Sequence, residues 1–335
     1  MLTYVARRLL AVVPVLFGVT LAVFSMLFLV PGDPVKMMLA EFVTNPDQVA
    51  RMRAQLHLDE PILAQYGRFV GNAARGDLGT SIRSRRPVAT EIAENVGSTA
   101  QLALASMAVA IALGIPLGLL AALGRNSWLD VASMVVALLG VAMPSFWLGL
   151  LLIFTFSLHL GWFPATGGGD LLHLVLPSVT LGTIAAAIIA RLTRSSMLEV
   201  LGQDYVRTAR AKGLAWWGVV VRHALQNALI PIITIFGLQF GNLLAGAVIV
   251  ETVFSRPGLG RLIVGGILAK DFPLVQGAVL FVATAYVLIN VLVDMAYVTV
   301  LVNSDVPFNS KDPAPSKIPS LWTPSVYAGA VAVHK

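Results

Sequence analysis

Long apolar runs separated by polar segments dominate the hydropathy pattern of this chain. Six runs are long enough to cross a lipid bilayer, and they cover roughly residues 9–30, 100–123, 131–158, 173–191, 227–250 and 276–302. A transmembrane helix needs about 20 consecutive, mostly apolar residues. The pattern therefore predicts an all-α polytopic membrane protein whose six transmembrane helices occupy residues 1–302.

The first and third runs each need a further argument. The first follows Arg7-Arg8, as in a signal peptide, but it exceeds the about 7–15 apolar residues of such a segment, and no small-x-small cleavage site follows it. We therefore expect a retained first span. Pro144 lies within the third run, where it removes one helical hydrogen bond. Because division there would leave two pieces too short to cross, we predict one kinked span.

Three polar segments are longer than a turn. Residues about 31–98 contain many charges broken by proline and glycine, which predicts a small external region of short helices between the first two spans. Residues about 192–226 form a basic loop between the fourth and fifth spans. Residues 303–335 are rich in proline, serine and lysine, which predicts a disordered tail.

The distribution of basic residues predicts the orientation in the membrane. Lysine and arginine accumulate in short cytoplasmic segments. If the N-terminus is cytoplasmic, the short outer loops carry only Arg256, Arg261 and Lys270. The inner segments then carry Arg7, Arg8, Arg125, Arg194, Arg207, Arg210, Lys212 and Arg222. With six spans, both termini are expected in the cytoplasm.

Composition supports the membrane assignment and excludes several kinds of site. The chain is 57% hydrophobic and 12% charged, whereas soluble domains are closer to about 45–50% and 25%. Because the chain contains no cysteine, it has no disulfide, Cys-ligated metal or thiol nucleophile. None of its five histidines are spaced i,i+3 or i,i+4, so a local histidine metal site is not expected. We attribute the net charge of +6 to contact with anionic lipid, not nucleic acid.

No nucleotide site is present in the sequence. A phosphate-binding loop needs the pattern G-x-x-x-x-G-K-[ST], and this chain has no Gly-Lys pair. We therefore expect no cofactor in this chain, and energy from ATP would have to come from another polypeptide.

The basic loop predicts a short amphipathic helix. Leu198, Leu201, Tyr205 and Ala209 are spaced i, i+3, i+7 and i+11, which places them on one helical face. Gly213 is a plausible end of that helix because glycine accepts the left-handed conformation. The chemistry alone leaves two alternatives, a helix lying on anionic lipid or a docking site for a cytoplasmic partner.

A set of ordered motifs resembles the permease subunits of ABC importers, in the peptide/nickel branch. The signature run extends from Asp204 to Gly213 and is followed by His223 and by Asn227 to Pro231. Other matching motifs, in order over about residues 1–302, are Arg7-Arg8-Leu9, Pro31 to Pro34, Gly76 to Ser81, Arg86 to Val88, Leu176 to Ser178, Thr193 to Ser195, Glu251 to Phe254, and Pro257 to Gly260.

This resemblance implies a type I ABC importer permease bundle in the bacterial inner membrane. Its implied partners are a second homologous permease, two cytoplasmic ATPases that carry ATP and Mg, an extracytoplasmic substrate-binding protein, and membrane lipid. The implied cargo is a dipeptide or oligopeptide, with glutathione, nickel chelates and sugars also carried by the branch. The implied ATPase-coupling residues are Tyr205, Arg207, Thr208, Ala209, Arg210, Ala211, Lys212 and Gly213. Arg207 stands where the general family has an acidic residue, so an acidic contact is not expected.

The resemblance also points to residues in and beyond the spans. Glu251, Pro257, Gly258 and Gly260 follow the fifth span, where they either contact the binding protein or outer gate or form a structural turn. The polar positions Ser145, Gln239 and Asn242 either line the pathway or make interhelical hydrogen bonds.

Two further patterns in the spans leave alternatives open. Gly114 with Gly118, and Gly237 with Gly241, have small-xxx-small spacing, which favours close helix packing over a role in substrate passage. Asn290 and Asp294 share a helical face, which favours a packed, hydrogen-bonded pair near the inner end of the span. An ionisable residue in a span is a functional candidate, so the alternative to an ABC permease is a proton-coupled secondary transporter that uses Asp294. A membrane enzyme is disfavoured because the spans lack a carboxylate pair, a histidine cluster and a nucleophile motif.

Overall fold

The computed structural model describes residues 2–29, 50–51, 53–54 and 59–303, apart from some side chains, including that of Asp294. The chain divides into two compact units, Met1–Met295 and Ala296–Lys335. Of the second unit, only the helical backbone to Asn303 is described. The rest of the predicted tail, and most of residues 31–58 in the predicted external region, lie outside the described residues.

The helices with described bounds are α1 (Leu2–Leu29), α2 (Ile62–Ala74), α3 (Val88–Leu123), α4 (Trp128–Ala142), α5 (Ser145–Leu152), α6 (Leu172–Leu201), α7 (Asp204–Ala211), α8 (Gln226–Val253), α9 (Leu259–Leu268) and α10 (Phe272–Asn303). A π-helical stretch, Ile153–His159, continues α5. A single turn, Trp216–Gly218, and a second π-helical stretch, Val219–Leu225, lead into α8. The described elements therefore agree with the predicted all-α architecture.

Five of the helices, α1, α3, α6, α8 and α10, are long and apolar enough to cross a membrane. Trp128–Ala142 and Ser145–His159 pass the same test only as a pair, and they meet at an angle of 104°. Met143 between them has an extended backbone with ψ 128°, because the ring of Pro144 disfavours the helical conformation of the preceding residue. The predicted kink is thus a sharp bend, and counting the pair as one span gives six.

Helix ends differ from the ends of the apolar runs. The helix containing the second run already begins at Val88, and its first turns carry the charged residues Glu91 and Glu94. The fourth run ends near residue 191, but α6 continues to Leu201. Hydropathy marks the part of a helix that lipid covers, whereas the backbone hydrogen-bond ladder continues into polar surroundings.

Glycines allow the spans to pack closely. A Cβ atom at Gly114 would lie 2.7 Å from the carbonyl oxygen of Ala186, and one at Gly118 would overlap the carbonyl oxygen of Ala190. This contact joins α3 to α6. On α8, Gly237 and Gly241 make similarly close approaches to side chains of α10, those of Val293 and Tyr286. The predicted helix packing is confirmed, and the four glycines pack within this chain.

The bundle has two chemically distinct ends. Since α6 ends at Leu201 and α8 starts back at Gln226, residues 202–225 lie at one end, which we call the loop end. Glu251, near the last residue of α8, lies at the other, which we call the clasp end. At about 1.5 Å per residue, the length of α8 separates the two ends by about 40 Å.

Candidate functional site

The loop end contains a short helix held against the bundle by one apolar face. Val206 and Ala209 of α7 are buried together with Val219, against Val200 and Leu201 at the end of α6. The prediction of one continuous face through Leu201 and Tyr205 was wrong, since the helix breaks after Leu201 and Tyr205 is 43% exposed. The break at Gly202-Gln203 changes the helical register, so Val206 takes the buried position.

Gly213 ends this helical segment as predicted. Its φ of +79° lies in the left-handed region, which glycine adopts without steric cost. Its backbone N–H donates to the carbonyl of Arg210 at 3.0 Å, and that of Lys212 donates to Thr208 at 3.0 Å. A Cβ atom at Gly213 would meet no atom within 4 Å in the described chain, so the surface beside it is open.

The remaining predicted coupling residues form an exposed basic and aromatic surface. Arg207, Thr208, Arg210, Ala211, Lys212 and Gly213 are all exposed. The guanidinium of Arg210 lies 4.7 Å from the ring centroid of Trp216, a cation–π contact that contributes about 0.5–1 kcal/mol at an exposed site. The structure brings these residues together on one surface, whereas Ala209 faces the bundle.

A hydrogen bond connects the short helix to the next span. The side-chain amide of Asn227, in the first turn of α8, donates to the hydroxyl of Tyr205 at 3.0 Å and to the carbonyl of His223 at 2.8 Å. The segment α7 therefore contacts the end of α6 through Val206 and the start of α8 through Tyr205. A displacement of α7 would act on both helices.

An ion pair near the loop end was not predicted from the sequence. The guanidinium of Arg194 contacts both carboxylate oxygens of Asp130, at 2.6 and 2.7 Å. The backbone N–H of Asn126 also donates to Asp130, at 3.1 Å. The pair joins the start of α4 to α6, two turns before the loop. The only sequence signal was that Asp130 and Arg194 carry opposite charges and lie at the edges of the third and fourth apolar runs.

At the clasp end, the carboxylate of Glu251 caps the helix α9. Glu251 is fully buried. Its Oε2 accepts hydrogen bonds from the backbone N–H groups of Gly260 and Arg261, at 2.7 and 3.2 Å. Its Oε1 accepts from the Thr99 hydroxyl at 2.6 Å, and the hydroxyl oxygen of Thr99 accepts from the backbone N–H of Leu259 at 2.8 Å. Two side chains thus satisfy the first three N–H groups of α9, which its own turns leave unpaired.

The two predicted glycines allow this cap to form. A Cβ atom at Gly258 would overlap the Glu251 carboxylate, and one at Gly260 would overlap the backbone of Val248. Both glycines are buried, and of the four residues assigned to this region only Pro257 is exposed. The geometry favours the structural turn for Glu251, Gly258 and Gly260, and leaves Pro257 accessible to a soluble partner.

A buried arginine lies beside this cap. Arg256 is 4% exposed, and its guanidinium donates to the side chain of Gln101 at 3.4 Å. Burial lowers the pKa of Arg256, while the negative charge of Glu251 opposes that shift. The sequence did not predict α9, because a segment of ten residues that includes Arg261 is too short and too polar for a span. Without α9, the roles of Thr99 and Arg256 beside it could not be predicted either.

Comparison with known protein families identifies the family of this chain. Residues 114–300 match the binding-protein-dependent transport system inner membrane component, and residues 1–103 match its N-terminal region. The chain belongs to this family. It is therefore an inner-membrane permease subunit of an ABC importer, and in such importers ATP hydrolysis belongs to separate subunits.

Relatives of this permease are similar over nearly its whole length. It is 45% identical over 304 residues to a glutathione transport system permease protein of Escherichia coli (strain K12), covering 90% of this chain and 98% of that protein. It is 46% identical over 325 residues to a di/tripeptide transport system permease protein of Pseudomonas aeruginosa (strain UCBPP-PA14), covering 89% and 97%.

A solved structure has the same fold. The MetNI methionine ABC transporter in an inward-facing conformation aligns with a TM-score of 0.55 and 19% identity, over 63% of this permease and 96% of that chain. The predicted fold class is thereby confirmed.

The predicted pathway residues of the permease fall into two places. The side-chain amide of Asn242 donates to the side-chain carbonyl of Gln239 at 2.9 Å, so these two form a pair on α8. Gln239 is 3% exposed, and Asn242 is exposed. Ser145 starts α5 at the sharp bend and makes no hydrogen bond with this pair.

The proton-coupled alternative has no support from the family or its relatives. The side-chain amide of Asn290 donates to the carbonyl of Tyr286, one turn earlier on its own helix, at 2.9 Å. The side chain of Asp294 lies outside what the structure describes. Asn290 is thus satisfied locally, as expected of a packed polar residue in a span.

Proposed function

We propose that this permease forms one half of the translocation pathway for di- or oligopeptides or a related small solute such as glutathione. The observation that carries the proposal is the identity of 45–46% to glutathione and di/tripeptide permeases over about nine tenths of the chain. A second homologous permease supplies the other half. An extracytoplasmic binding protein delivers the solute, and this chain catalyses no covalent step.

The loop end faces the cytoplasm in this proposal, with both chain termini on that side. The asymmetry of lysine and arginine supports this orientation, since the loop end carries Arg125, Arg207, Arg210, Lys212 and Arg222. The clasp end then faces outward, where the binding protein docks.

Two cytoplasmic ATPases, which carry ATP and Mg²⁺, dock on the loop end. On this chain, the docking site is the exposed surface of Arg207, Thr208, Arg210, Ala211, Lys212 and Gly213. Membrane lipid alone would also attract these cations. We favour ATPase docking over lipid binding because α7 is attached to two spans. Val206 packs against the end of α6 and Tyr205 bonds to the start of α8, so a force that the ATPases apply to α7 reaches both helices.

Alternating access follows from this connection. ATP binding draws the two ATPases together, α7 moves with them, and the ends of α6 and α8 are displaced. Because a helix transmits displacement along its axis, the motion of α8 reaches Glu251 about 40 Å away. The Glu251 cap joins α3, α8 and α9, and its rearrangement would open the outer end of the pathway. Hydrolysis then restores the inward-facing state.

Co-purification from the native host tests the proposal. The detergent-solubilised wild type should bring down a second permease and one or two ATPases, identified by mass spectrometry. The double variant Arg207→Glu/Arg210→Glu should retain the permease and lose the ATPases. Arg125→Glu, exposed at the same end but outside the loop, is the matched control and should retain both.

Two results would contradict the proposal. Recovery of the wild-type chain alone, under conditions that preserve other ABC complexes, would argue against an assembly with ATPases. Undiminished ATPase recovery with the double variant would leave the importer assignment intact but show that α7 is not the docking site.

A further inference from the structure

A cavity of about 550 Å³ opens at the clasp end; we call it the rim cavity. It lies between the turn Ser81–Ser84, the first turns of α3, and α9. Its charged lining residues are Arg83, Glu91, Arg261 and Asp271. Its size falls in the range of about 300–1,000 Å³ that is typical of binding pockets.

The acidic side chains of the rim cavity are engaged by the protein itself. Asp271 is 1% exposed and accepts from the Ser81 hydroxyl at 2.6 Å and from the backbone N–H of Arg83 at 3.1 Å. Glu91 accepts a hydrogen bond from the Ser84 hydroxyl. These contacts hold the turn against α3 and against Asp271, the residue that precedes α10, so the carboxylates act as internal anchors of the cavity wall.

The basic side chains of the rim cavity are exposed and largely unpaired. Arg83 makes no side-chain hydrogen bond or ion pair with any described residue, and within the same part of the chain the guanidinium of Arg261 donates a hydrogen bond to the carbonyl of Ser255 alone. In contrast, Arg68 and Arg86 nearby in sequence are paired with Glu60 and Glu94. The cavity therefore presents two guanidinium groups with free donors, which suit a carboxylate ligand.

We propose that the rim cavity binds a carboxylate supplied by an acidic side chain of the extracytoplasmic binding protein. This inference rests on the proposed function, and it adds the site and the chemistry by which that partner is recognised. Both arginines are exposed and lie outside the membrane-spanning windows, whereas both carboxylates accept hydrogen bonds from the protein itself. A soluble protein can therefore reach both guanidinium groups without entering the membrane.

The test measures ATP hydrolysis by the complete complex in lipid nanodiscs, as a function of the concentration of the co-purifying binding protein loaded with peptide. Arg83→Gln and Arg261→Gln should each raise the half-maximal concentration about 5-fold and leave the maximal rate unchanged, since rim charges act on association. Arg85→Gln is the matched control, because Arg85 is an exposed cation of the same turn that does not line the cavity.

A steric variant tests the cavity without changing any charge. Gly265 lines the cavity, and a Cβ atom there would meet no atom within 4 Å in the described chain. Gly265→Leu should therefore fold, because leucine also favours the helix more than glycine does. It should raise the half-maximal concentration of binding protein by filling the space that the partner's side chain occupies.

The outcomes separate this inference from the proposed function. An unchanged half-maximal concentration in both Arg83→Gln and Gly265→Leu, with a wild type that is stimulated normally, would overturn the inference alone. An effect of Arg85→Gln as large as that of Arg83→Gln would show general electrostatic steering in place of a site.

Two further outcomes would also overturn it. If the arginine variants lose uptake of a peptide with a free carboxyl terminus but not of its C-terminal amide, at unchanged half-maximal concentration, the substrate supplies the carboxylate. A wild-type complex that no binding protein stimulates would reject the proposed function, and the inference with it.

Discussion

Replacement of Glu251 provides a graded test of the cap on α9. In Glu251→Leu, the buried Thr99 hydroxyl, the buried N–H of Gly260 and the partly buried N–H of Arg261 would lose their acceptor. An unsatisfied buried donor costs about 1–3 kcal/mol, so the two buried donors alone should destabilise the permease by roughly 2–6 kcal/mol. The upper part of that range reaches the whole stability of the less stable domains, which is about 5 kcal/mol.

Glu251→Gln should be milder. Its carbonyl oxygen can replace Oε2 and still accept from Gly260 and Arg261, while its amide N–H group faces the Thr99 hydroxyl. A hydroxyl has two acceptor lone pairs, so Thr99 can accept from both the amide and Leu259. The negative charge at the start of the helix is lost, which corresponds to about 1–2 kcal/mol, and the Thr99 hydroxyl hydrogen loses its acceptor, but both helix N–H groups keep theirs.

The assay is denaturation of the purified permease in mixed micelles, followed by tryptophan fluorescence. We expect the order of stability wild type, Glu251→Gln, Glu251→Leu. Thr99→Val and the double variant Thr99→Val/Glu251→Leu complete a double-mutant cycle, in which contacting residues show a coupling energy of about 0.5–3 kcal/mol. A Glu251→Leu variant as stable as the wild type, or a coupling energy of zero, would refute the capping argument.

Three further predictions concern the loop and the bundle. Gly213→Trp should uncouple ATP hydrolysis from uptake in the reconstituted complex, because tryptophan adds bulk at the docking surface and is strained at a φ of +79°. Gly213→Asn should stay coupled, because asparagine tolerates this conformation. Asp130→Asn should lower the melting temperature by a few degrees, and Arg194→Lys, which loses the two-pronged contact, should act in the same direction. Gly118→Val should disrupt packing against Ala190 by roughly 1–3 kcal/mol, measured as loss of folded protein on size-exclusion chromatography.

Each of these predictions has an outcome that would contradict it. Normal coupling in Gly213→Trp would argue against docking at that position. A melting temperature unaffected by Asp130→Asn would mean that the ion pair with Arg194 contributes nothing measurable. For Gly118, the matched control is Gly97→Val on the same helix, where a Cβ atom meets nothing within 4 Å in the described chain. Equal losses in the two variants would show that a branched side chain on this helix, and not the packing against α6, is responsible.

The sequence alone determined that this is a helical permease of the ABC importer family. Lipid cannot hydrogen-bond the backbone, so a span must satisfy its own N–H and C=O groups within a helix, and hydropathy is enough to find it. Local rules were also reliable where the constraint is local. Gly213 was assigned to the left-handed end of a helix, and Gly114 with Gly118 to a helix interface, because each depends on the absence of one side chain.

Tertiary structure alone decided how the two ends of the bundle are assembled. The cap on α9 joins Thr99 to Glu251, which are 152 residues apart, and the ion pair joins Asp130 to Arg194, which are 64 residues apart. The buried residue of α7 is Val206 and not Tyr205, because a break at Gly202 shifts the register. Periodicity identifies which face of a helix is apolar, but the partner that a polar side chain meets depends on how helices distant in sequence pack together.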